Sequence, residues 1–125
     1  MEYKDFAKAG LDIELPKIEV FENQFEGYEI TIRIPEFTSI CPKTLLPDFG
    51  CITIIYTPDK LCIELKSLKE YILGYRNLGI FYENAVNRIL EDIVKATSPK
   101  QAKVIGEFNP RGGIISKIEA IYPRP

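Results

Sequence analysis

The sequence has 125 residues, with 16 lysines and arginines against 18 aspartates and glutamates, and therefore a formal net charge of −2. This length predicts one domain that buries a core without disulfides, and the charge argues against a protein that binds nucleic acid through a strongly basic surface. Histidine is absent, which excludes a Ser-His-Asp triad, a Cys-His dyad and a zinc site with histidine ligands.

Cysteine usage and hydropathy indicate the compartment. Cys41, Cys51 and Cys62 form no C-x-x-C pair, so neither a disulfide framework nor a zinc ribbon is predicted. The first residues lack the apolar run of a signal peptide, and no stretch reaches the roughly 18 apolar residues that a membrane span needs. We expect a single domain over residues 1–125, with an N-terminal arm over about residues 1–25, in a reducing cytoplasm.

The first half of the chain predicts two strands separated by a loop. Residues 28–34 alternate isoleucines with polar side chains, which indicates a half-buried strand, and Pro35 is expected to end this strand or to lie at its edge. Residues 37–50 contain two prolines and several small polar residues, and they predict a loop. Residues 51–57 are apolar and β-branched, so they predict the second strand.

Two helices are predicted in the middle of the chain. Ser67 followed by Glu70 has the form of a capping box, so a short helix is expected from residue 67 to about residue 76. Apolar pairs recur at helical spacing over residues 82–96, which predicts a longer amphipathic helix.

Two further strands complete the predicted fold. Residues 102–108 and 114–122 have strand patterns, and residues 109–113 form a hairpin-type connection between them. The order β-β-α-α-β-β predicts an α+β fold in which an antiparallel four-stranded sheet carries two helices on one face. Such a sheet has two open edges, which the association of subunits into a ring would close.

The segment between the first two strands holds the first candidate for chemistry. Cys41 precedes Pro42 in the predicted loop, where a restricted backbone can hold a reactive side chain. The neighbouring Lys43 favours the nucleophilic thiolate, and Asp48 can supply or accept a proton if the loop folds back. Spacing alone leaves open that this cysteine is a small buried residue. The other two cysteines lie in strand patterns and are predicted to pack in the core.

Three other segments have both a binding and a structural interpretation. Residues 64–71 place two lysines at a predicted helix N-terminus, which suits either a phosphate group or a solvated helix start. Glu83 lies in the first turn of the second helix, where a carboxylate also complements the helix dipole. Arg111 lies in the hairpin connection and is either a ligand or an exposed turn residue. No G-x-G-x-x-G or Walker loop occurs, so a Rossmann dinucleotide site is not predicted.

Four motifs, in this order, resemble those of one family. They are Cys-Pro-x-Thr-x-x-Pro-Asp at residues 41–48, Glu-Leu-Lys-Ser-Leu-Lys-x-Tyr at 64–71, Tyr-Arg-Asn-x-Gly-Ile-Phe-x-Glu at 75–83 and Phe-Asn-Pro-Arg-Gly-Gly at 108–113. Together they resemble the short, single-module NADPH-dependent 7-cyano-7-deazaguanine reductases of queuosine biosynthesis, the QueF family. The resemblance implies the tunnelling fold (T-fold), assembled into rings with active sites between subunits.

The resemblance also implies roles for individual residues. Cys41 is similar to the nucleophile that adds to the nitrile carbon and forms a covalent thioimide, and Asp48 to the proton donor beside it. Glu83 is similar to the carboxylate that holds the guanidine-like edge of the substrate. Many relatives carry histidine where this chain has Tyr82. The residues expected to bind the substrate are Ile63, Glu64, Leu65, Tyr82 and Glu83, and those expected to bind the cofactor are Lys66, Ser67, Lys69, Tyr71 and Arg111.

The implied reaction is reduction of the nitrile of 7-cyano-7-deazaguanine to the aminomethyl group, with NADPH as co-substrate and no metal. The expected partners are this small molecule and further copies of the chain in stacked rings, of which a decamer is one form; neither nucleic acid nor a membrane is expected. Two alternatives stay open. One is NADPH-independent nitrogen transfer to the same base in tRNA, against which the nearly intact motif at residues 64–71 and the negative charge argue. The other is a purine-binding T-fold module without catalysis.

Overall fold

The computed structural model describes residues 6–125, so residues 1–5 of the predicted N-terminal arm lie outside the described residues. The strands are β1 (Val20–Glu22), β2 (Ile30–Ile40), β3 (Pro47–Thr57), β4 (Leu61–Ile63), β5 (Gln101–Arg111) and β6 (Ile114–Tyr122), and the helices are α1 (Leu65–Leu73) and α2 (Tyr82–Thr97). In the described part of the chain, no helix is long and apolar enough to cross a membrane.

Four antiparallel strands form the main sheet in the order β2-β3-β5-β6. Both helices contribute to the same core as the inward face of this sheet, which confirms the predicted α+β fold and its β-β-α-α-β-β order. Strands β1 and β4 pair in a separate two-stranded antiparallel sheet. The sequence did not predict this second sheet, because three-residue strands are too short to show a period.

The core lies between β3, β5 and α2. Ile52, Ile54 and Tyr56 alternate along β3 and are fully buried on its inward face. Ile89 and Ile93 of α2 are fully buried as well, which accounts for the apolar stripe seen in the sequence. Burying each such side chain contributes about 1.5–3 kcal/mol, so this face of the sheet anchors the elements that carry the polar residues described below.

A β-bulge carries β2 through Pro35. Ile34 pairs with Ile52, and the next pair is Phe37 with Gly50. Between these two pairs, β2 has one residue more than β3. Pro35 therefore does not end the strand, because the bulge takes up the proline without breaking the ladder. The other expectation, a proline at an edge, agrees with the position of β2 at the edge of the main sheet. The extra residue also resets the alternation of side chains. Phe37 faces the core, where a regular strand would have placed Glu36.

The predicted loop over residues 37–50 was mostly wrong. Residues 37–40 and 47–50 extend β2 and β3 and pair with each other, which leaves a six-residue connection, 41–46. Pro47 is the first residue of β3, a position that a proline tolerates. The connection is closed by backbone hydrogen bonds of 2.9 Å from the N–H of Cys41 to the Leu46 carbonyl and from the N–H of Leu45 to the Cys41 carbonyl.

The hairpin between β5 and β6 is tighter than predicted. β5 extends to Arg111, and Gly112 and Gly113 alone form the turn, both with positive φ (59° and 81°). Two-residue hairpin turns with positive φ at both positions match the right-handed twist of the flanking strands. A bulge between Phe108 and Arg111 takes up residues 109 and 110, which the sequence had assigned to the turn.

Helix α1 begins earlier than predicted. Its N-cap is Glu64, whose carboxylate accepts hydrogen bonds of 2.8 Å from the backbone N–H groups of Lys66 and Ser67. The assignment of Ser67 as N-cap was wrong, since a carboxylate three residues upstream already satisfies the first amides. The helix ends at Leu73 rather than near residue 76. The boundaries of α2 agree with the prediction to within one residue.

Candidate active site

The two bulges lie on either side of β3, at the end of the sheet where Asp48 is located. On one side, the bulge in β2 turns Ser39 inward and opposite Asp48 in the register. On the other side, the bulge in β5 gives Arg111 the inward position that Pro110 would hold in a regular strand. Bulges are common next to active sites because they redirect side chains. Here they gather polar groups around one buried carboxyl group.

Asp48 is the centre of this cluster, with only 5% of its surface exposed. The Arg111 guanidinium forms an ion pair with Oδ1 through Nη1, and the Tyr82 hydroxyl donates to the same oxygen at 3.0 Å. The Tyr82 ring stacks on Phe108, with 3.9 Å between centroids. Burial, together with the hydrogen bond to the Asp48 carboxylate, raises the pKa of Tyr82 to about 12. This phenol therefore remains a donor at any physiological pH.

Cys41 lies in the connection between β2 and β3 and is partly exposed. Burial by itself would raise the pKa of its thiol. Hydrogen bonds from the Thr44 hydroxyl and from the backbone N–H groups of Thr44 and Lys43 outweigh burial, so the pKa of Cys41 lies below its ordinary value. A thiolate is the nucleophilic form of cysteine. The tight turn of the connection thus favours the thiolate form of Cys41.

Thr44 links Cys41 to the ion pair between Asp48 and Arg111. Its hydroxyl is a hydrogen-bond partner of Cys41 and also accepts from Nη2 of Arg111 at 2.8 Å. Because the other amino group of Arg111 is paired with Asp48, the guanidinium bridges the two candidate catalytic residues. The sequence did not assign this role to Thr44, although it is one of the residues that define the motif at positions 41–48.

A cavity of about 240 Å³ opens beside this cluster. Cys41, Asp48 and Tyr82 line it, and the first turn of α2 adds the exposed carboxylate of Glu83. The hairpin contributes Arg111. One cavity therefore contains a thiol with a lowered pKa, a buried acid and a second carboxylate, which together can attack an electrophilic carbon, deliver a proton and bind an N–H-rich ligand.

The remaining predicted site residues lie elsewhere in the protomer. Ile63 ends β4, and Glu64 caps α1, where the N–H groups of Lys66 and Ser67 hold the pKa of its carboxyl group below the usual value. These amides are occupied by Glu64, so they do not form the phosphate site considered from the sequence. The side chains of Lys66 and Lys69 are exposed.

Ser67 and Tyr71 point into the molecule and are buried. The Ser67 hydroxyl accepts from the Glu19 N–H and donates to the Glu64 carbonyl, both at 2.8 Å. The Tyr71 hydroxyl contacts the Tyr75 hydroxyl at 2.7 Å and donates to Asp92 at 2.5 Å. Within one protomer, these polar atoms hold α1 against its neighbours.

The predicted site residues thus form two groups. One group surrounds the cavity beside Cys41 and consists of Cys41, Asp48, Tyr82, Glu83 and Arg111. The other group consists of Ile63, Glu64, Leu65, Lys66, Ser67, Lys69 and Tyr71, and none of its members lines that cavity. Leu65 and Lys69 line a separate cavity of about 340 Å³ beside the bulge of β2. Arg111, expected among the cofactor residues, lies in the first group. Over residues 6–125, no cluster of three or more Cys, Asp or Glu residues is arranged to hold a metal ion.

Comparison with known proteins identifies relatives along most of the chain. A family described as "QueF-like protein" matches residues 47–125. A protein of Elusimicrobium minutum named NADPH-dependent 7-cyano-7-deazaguanine reductase is 58% identical over 122 residues, which cover 97% of this chain and 92% of that protein. Proteins with the same name from Chloroherpeton thalassium and Chlorobaculum tepidum are 59% and 57% identical, over 84% and 86% of this chain and 92% and 93% of theirs.

A solved structure shares the fold. The crystal structure of the archaeosine synthase QueF-Like in its apo form superposes with a TM-score of 0.72, covering 78% of this chain and 95% of that one. The sequence identity is 20%, so this likeness shows the fold alone.

Proposed function

The chain belongs to the family of QueF-like proteins, and we propose that it catalyses the NADPH-dependent reduction of the nitrile of 7-cyano-7-deazaguanine to an aminomethyl group. The observation that carries this proposal is the cavity in which Cys41, with its lowered pKa, lies beside the buried Asp48. Relatives that are identical at more than half of their positions and bear the name of this reductase support the same activity.

The first step is the addition of Cys41 to the substrate. The thiolate attacks the nitrile carbon, so that a carbon–sulfur bond forms while the electrons of one carbon–nitrogen π bond move to nitrogen. Asp48 takes up the proton that Cys41 gives up on forming the thiolate and passes it to the nitrogen, and the product is a covalent thioimide. Arg111 and Tyr82 already contact Oδ1 of Asp48, so they stabilise the carboxylate that proton transfer leaves behind.

Two NADPH molecules, bound in turn, would each supply one hydride to the nitrile carbon, and the carbon–sulfur bond would break between the two transfers, which returns Cys41 as a thiolate. The residues of this chain that suit its phosphates are Lys66 and Lys69, whose ammonium groups are exposed on one helix. Ser67 and Tyr71 remain predicted cofactor residues, and their internal hydrogen bonds keep this helix in position. For substrate binding, Glu83 offers a carboxylate to the paired N–H groups of the 7-deazaguanine ring.

A complete site requires more than one copy of the chain. Ile63, Glu64 and Leu65 are absent from the cavity beside Cys41, and we propose that a neighbouring subunit brings them to it. Within the described sheet, β2 and β6 are edge strands, and edge strands readily pair with another chain. Ile114 and Ile115 of β6 expose 70% and 72% of their surface, which suits burial between subunits. The assembly proposed is a homo-oligomeric ring.

We also propose the cytoplasm as the location of the enzyme and a single domain over the whole chain. All three cysteines are free thiols, and a reducing compartment keeps the Cys41 nucleophile available.

The decisive experiment follows the oxidation of NADPH by its absorbance in the presence of 7-cyano-7-deazaguanine. Two equivalents should be consumed for each product, and Cys41→Ala should abolish turnover. Cys51→Ala is the matched control, since Cys51 lies on β3 outside the cavity, and it should retain turnover. Full activity of Cys41→Ala would refute the proposal.

Intact-mass spectrometry separates the alternatives. The reductase should gain the mass of one substrate on Cys41 when NADPH is withheld and lose it when NADPH is added. Nitrogen transfer predicts that NADPH is never consumed and that tRNA shifts the protein in a gel. A purine-binding module predicts ligand binding without any adduct.

A further inference from the structure

The Ser39 hydroxyl stands out among the buried polar groups. Ser39 has no exposed surface, and within residues 6–125 its Oγ is the one buried side-chain nitrogen or oxygen without a hydrogen-bond partner. Nearly all buried hydroxyls are partnered, because an unsatisfied one keeps the cost of losing its contacts with water. An unpaired hydroxyl inside a well-packed protein therefore calls for an explanation.

The register of the sheet places Ser39 beside the proton donor. Ser39 of β2 is the direct partner of Asp48 of β3, and both are buried on the inward face. Side chains of directly opposed residues in antiparallel strands have Cβ atoms about 4.5–5.5 Å apart. The hydrogen bonds from Tyr82 and Arg111 both end on Oδ1 of Asp48, which leaves Oδ2 as the oxygen available to a donor on β2.

We propose that Ser39 is a positioning residue for proton transfer, whose hydroxyl donates to Oδ2 of Asp48 when substrate occupies the cavity. This inference rests on the proposed function. Ser39 does not line the cavity, so it acts through Asp48 rather than on the substrate. In the free protein this hydroxyl has no partner, while Arg111 and Tyr82 hold the carboxylate by its other oxygen. Active sites often contain strained residues or polar atoms without a hydrogen-bond partner, and these lower the stability of the fold.

The hydrogen bond strengthens as the reaction proceeds. When the Cys41 sulfur bonds to the nitrile carbon, the displaced π electrons take the Asp48 proton, and a neutral acid becomes a carboxylate. A hydroxyl bonds a carboxylate more strongly than a neutral acid, so Ser39 stabilises the state after proton transfer more than the state before it. An interaction that grows toward the transition state raises the rate rather than the affinity.

The charged and titratable groups around Asp48 come from several elements. Arg111 faces it from β5, Tyr82 from α2, Cys41 from the connection after β2, and Glu83 lines the same cavity from the first turn of α2. All of them are unchanged in a variant of Ser39. A lower rate of adduct formation in that variant, at an unchanged half-saturating substrate concentration, therefore reports the contact between Ser39 and Asp48.

The test compares Ser39→Ala with Thr97→Val. Thr97 is a buried residue of α2 whose hydroxyl donates to the Ile93 carbonyl at 2.9 Å, and it lies outside the cavity. The rate at which the Cys41 adduct forms is measured by intact mass without NADPH, over a range of pH and substrate concentration. Thermal unfolding of each variant is measured alongside.

The two variants should show opposite signatures. Ser39→Ala removes an unsatisfied atom, so its unfolding midpoint should stay the same or rise by about 2–4 °C. Its adduct rate should fall about 10-fold, and the half-saturating substrate concentration should not change. Thr97→Val should unfold at lower temperature and form the adduct at the normal rate.

Three outcomes test the inference about Ser39 and the proposed function separately. An unchanged rate of adduct formation in Ser39→Ala would overturn the inference and leave the proposed function standing. A slower adduct accompanied by a lower unfolding temperature would also overturn it, since packing would then explain both effects. Failure of the unmodified enzyme to form any adduct would refute the proposed function itself.

Discussion

The protein contains the same three side chains in two places, with different consequences. In both, a tyrosine hydroxyl donates to an aspartate that is also paired with an arginine. Beside the cavity, the three residues are Tyr82, Asp48 and Arg111, here called the cavity triad. On the helices they are Tyr71, Asp92 and Arg88, here called the helix triad.

The surroundings of the two triads differ. The guanidinium of Arg88 also donates to the backbone carbonyls of Gly10 and Ile13, so the helix triad fastens the N-terminal segment to α2. Burial raises the pKa of Tyr71 far above its ordinary range and keeps its phenol protonated. The cavity triad adjoins instead the thiol of Cys41 and an open cavity. The neighbouring thiol and the open cavity, rather than the triad itself, distinguish the proposed reactive site from the helix triad.

The largest effect should come from replacing the aspartate of the cavity triad. Asp48→Asn keeps the shape and the contact with Tyr82, but it cannot deliver a proton to the nitrile nitrogen. We expect turnover to fall by about 10³-fold, within the range usual for loss of a general acid. Asp92→Asn is the control and should leave turnover within about threefold of the unmodified enzyme, because the contacts of Asp92 with Arg88 and Tyr71 lie outside the cavity. Equal losses in the two variants, measured by NADPH oxidation, would mean that the triads do not differ in function.

Replacing Arg111 should lower turnover, whereas replacing Arg88 should release the N-terminal segment. Arg111→Met removes a charged donor from the Asp48 carboxylate and from Thr44, so we expect turnover to fall about 10- to 100-fold. Arg88→Met should retain turnover and release the N-terminal segment, which limited proteolysis followed by mass spectrometry would detect as faster cleavage within residues 6–19. Rapid cleavage in Arg111→Met but not in Arg88→Met would contradict this division.

The sequence predicted the elements in which the hydrophobic pattern repeats over many residues. The helix over residues 82–96 and the strand over residues 114–122 were found with nearly the observed bounds, because many residues repeat the same pattern. The strand through Pro35 was missed, since a bulge depends on pairing with β3 rather than on local preference. The three-residue strands were missed because they are too short to show alternation.

The sequence predicted which residues of the candidate site could react, but it did not predict the contacts between them. Cys41 and Asp48 could be singled out from a proline-bounded segment and a family motif. The contacts of Thr44 with Cys41 and with Arg111 depend on how the connection turns, and the position of Ser39 depends on register. Neither can be predicted from the spacing of residues along the chain. Sequence also could not show that residues 63–71 lie apart from the cavity within one protomer.

A smaller effect should appear in the pH dependence of Cys41 alkylation. Because the pKa of Cys41 lies below its ordinary value, its thiolate forms at lower pH, and alkylation should reach half its maximal rate below the pH typical of a free cysteine. Thr44→Val removes the side-chain hydrogen bond that favours the thiolate, so this midpoint should move to higher pH. The rate constant for iodoacetamide, with peptide mapping to assign Cys41, measures it. Thr53→Val on the outward face of β3 is the control, and an equal midpoint in the Thr44 and Thr53 variants would exclude the proposed role of Thr44.

The smallest effect should come from the tyrosines. Tyr82→Phe keeps the stacked ring on Phe108 and removes one of two donors from Oδ1 of Asp48. Arg111 still contacts that oxygen, so turnover should fall only about 3- to 10-fold. The lower pH limit of adduct formation, which the Cys41 thiol sets, should stay in place. Tyr71→Phe should instead cost about 1–2 kcal/mol of unfolding free energy and leave that limit alone. A phenol with a pKa near 12 cannot itself set a limit at lower pH, so a lower limit that moves in Tyr82→Phe would show that this hydroxyl acts on Cys41 as well as on Asp48.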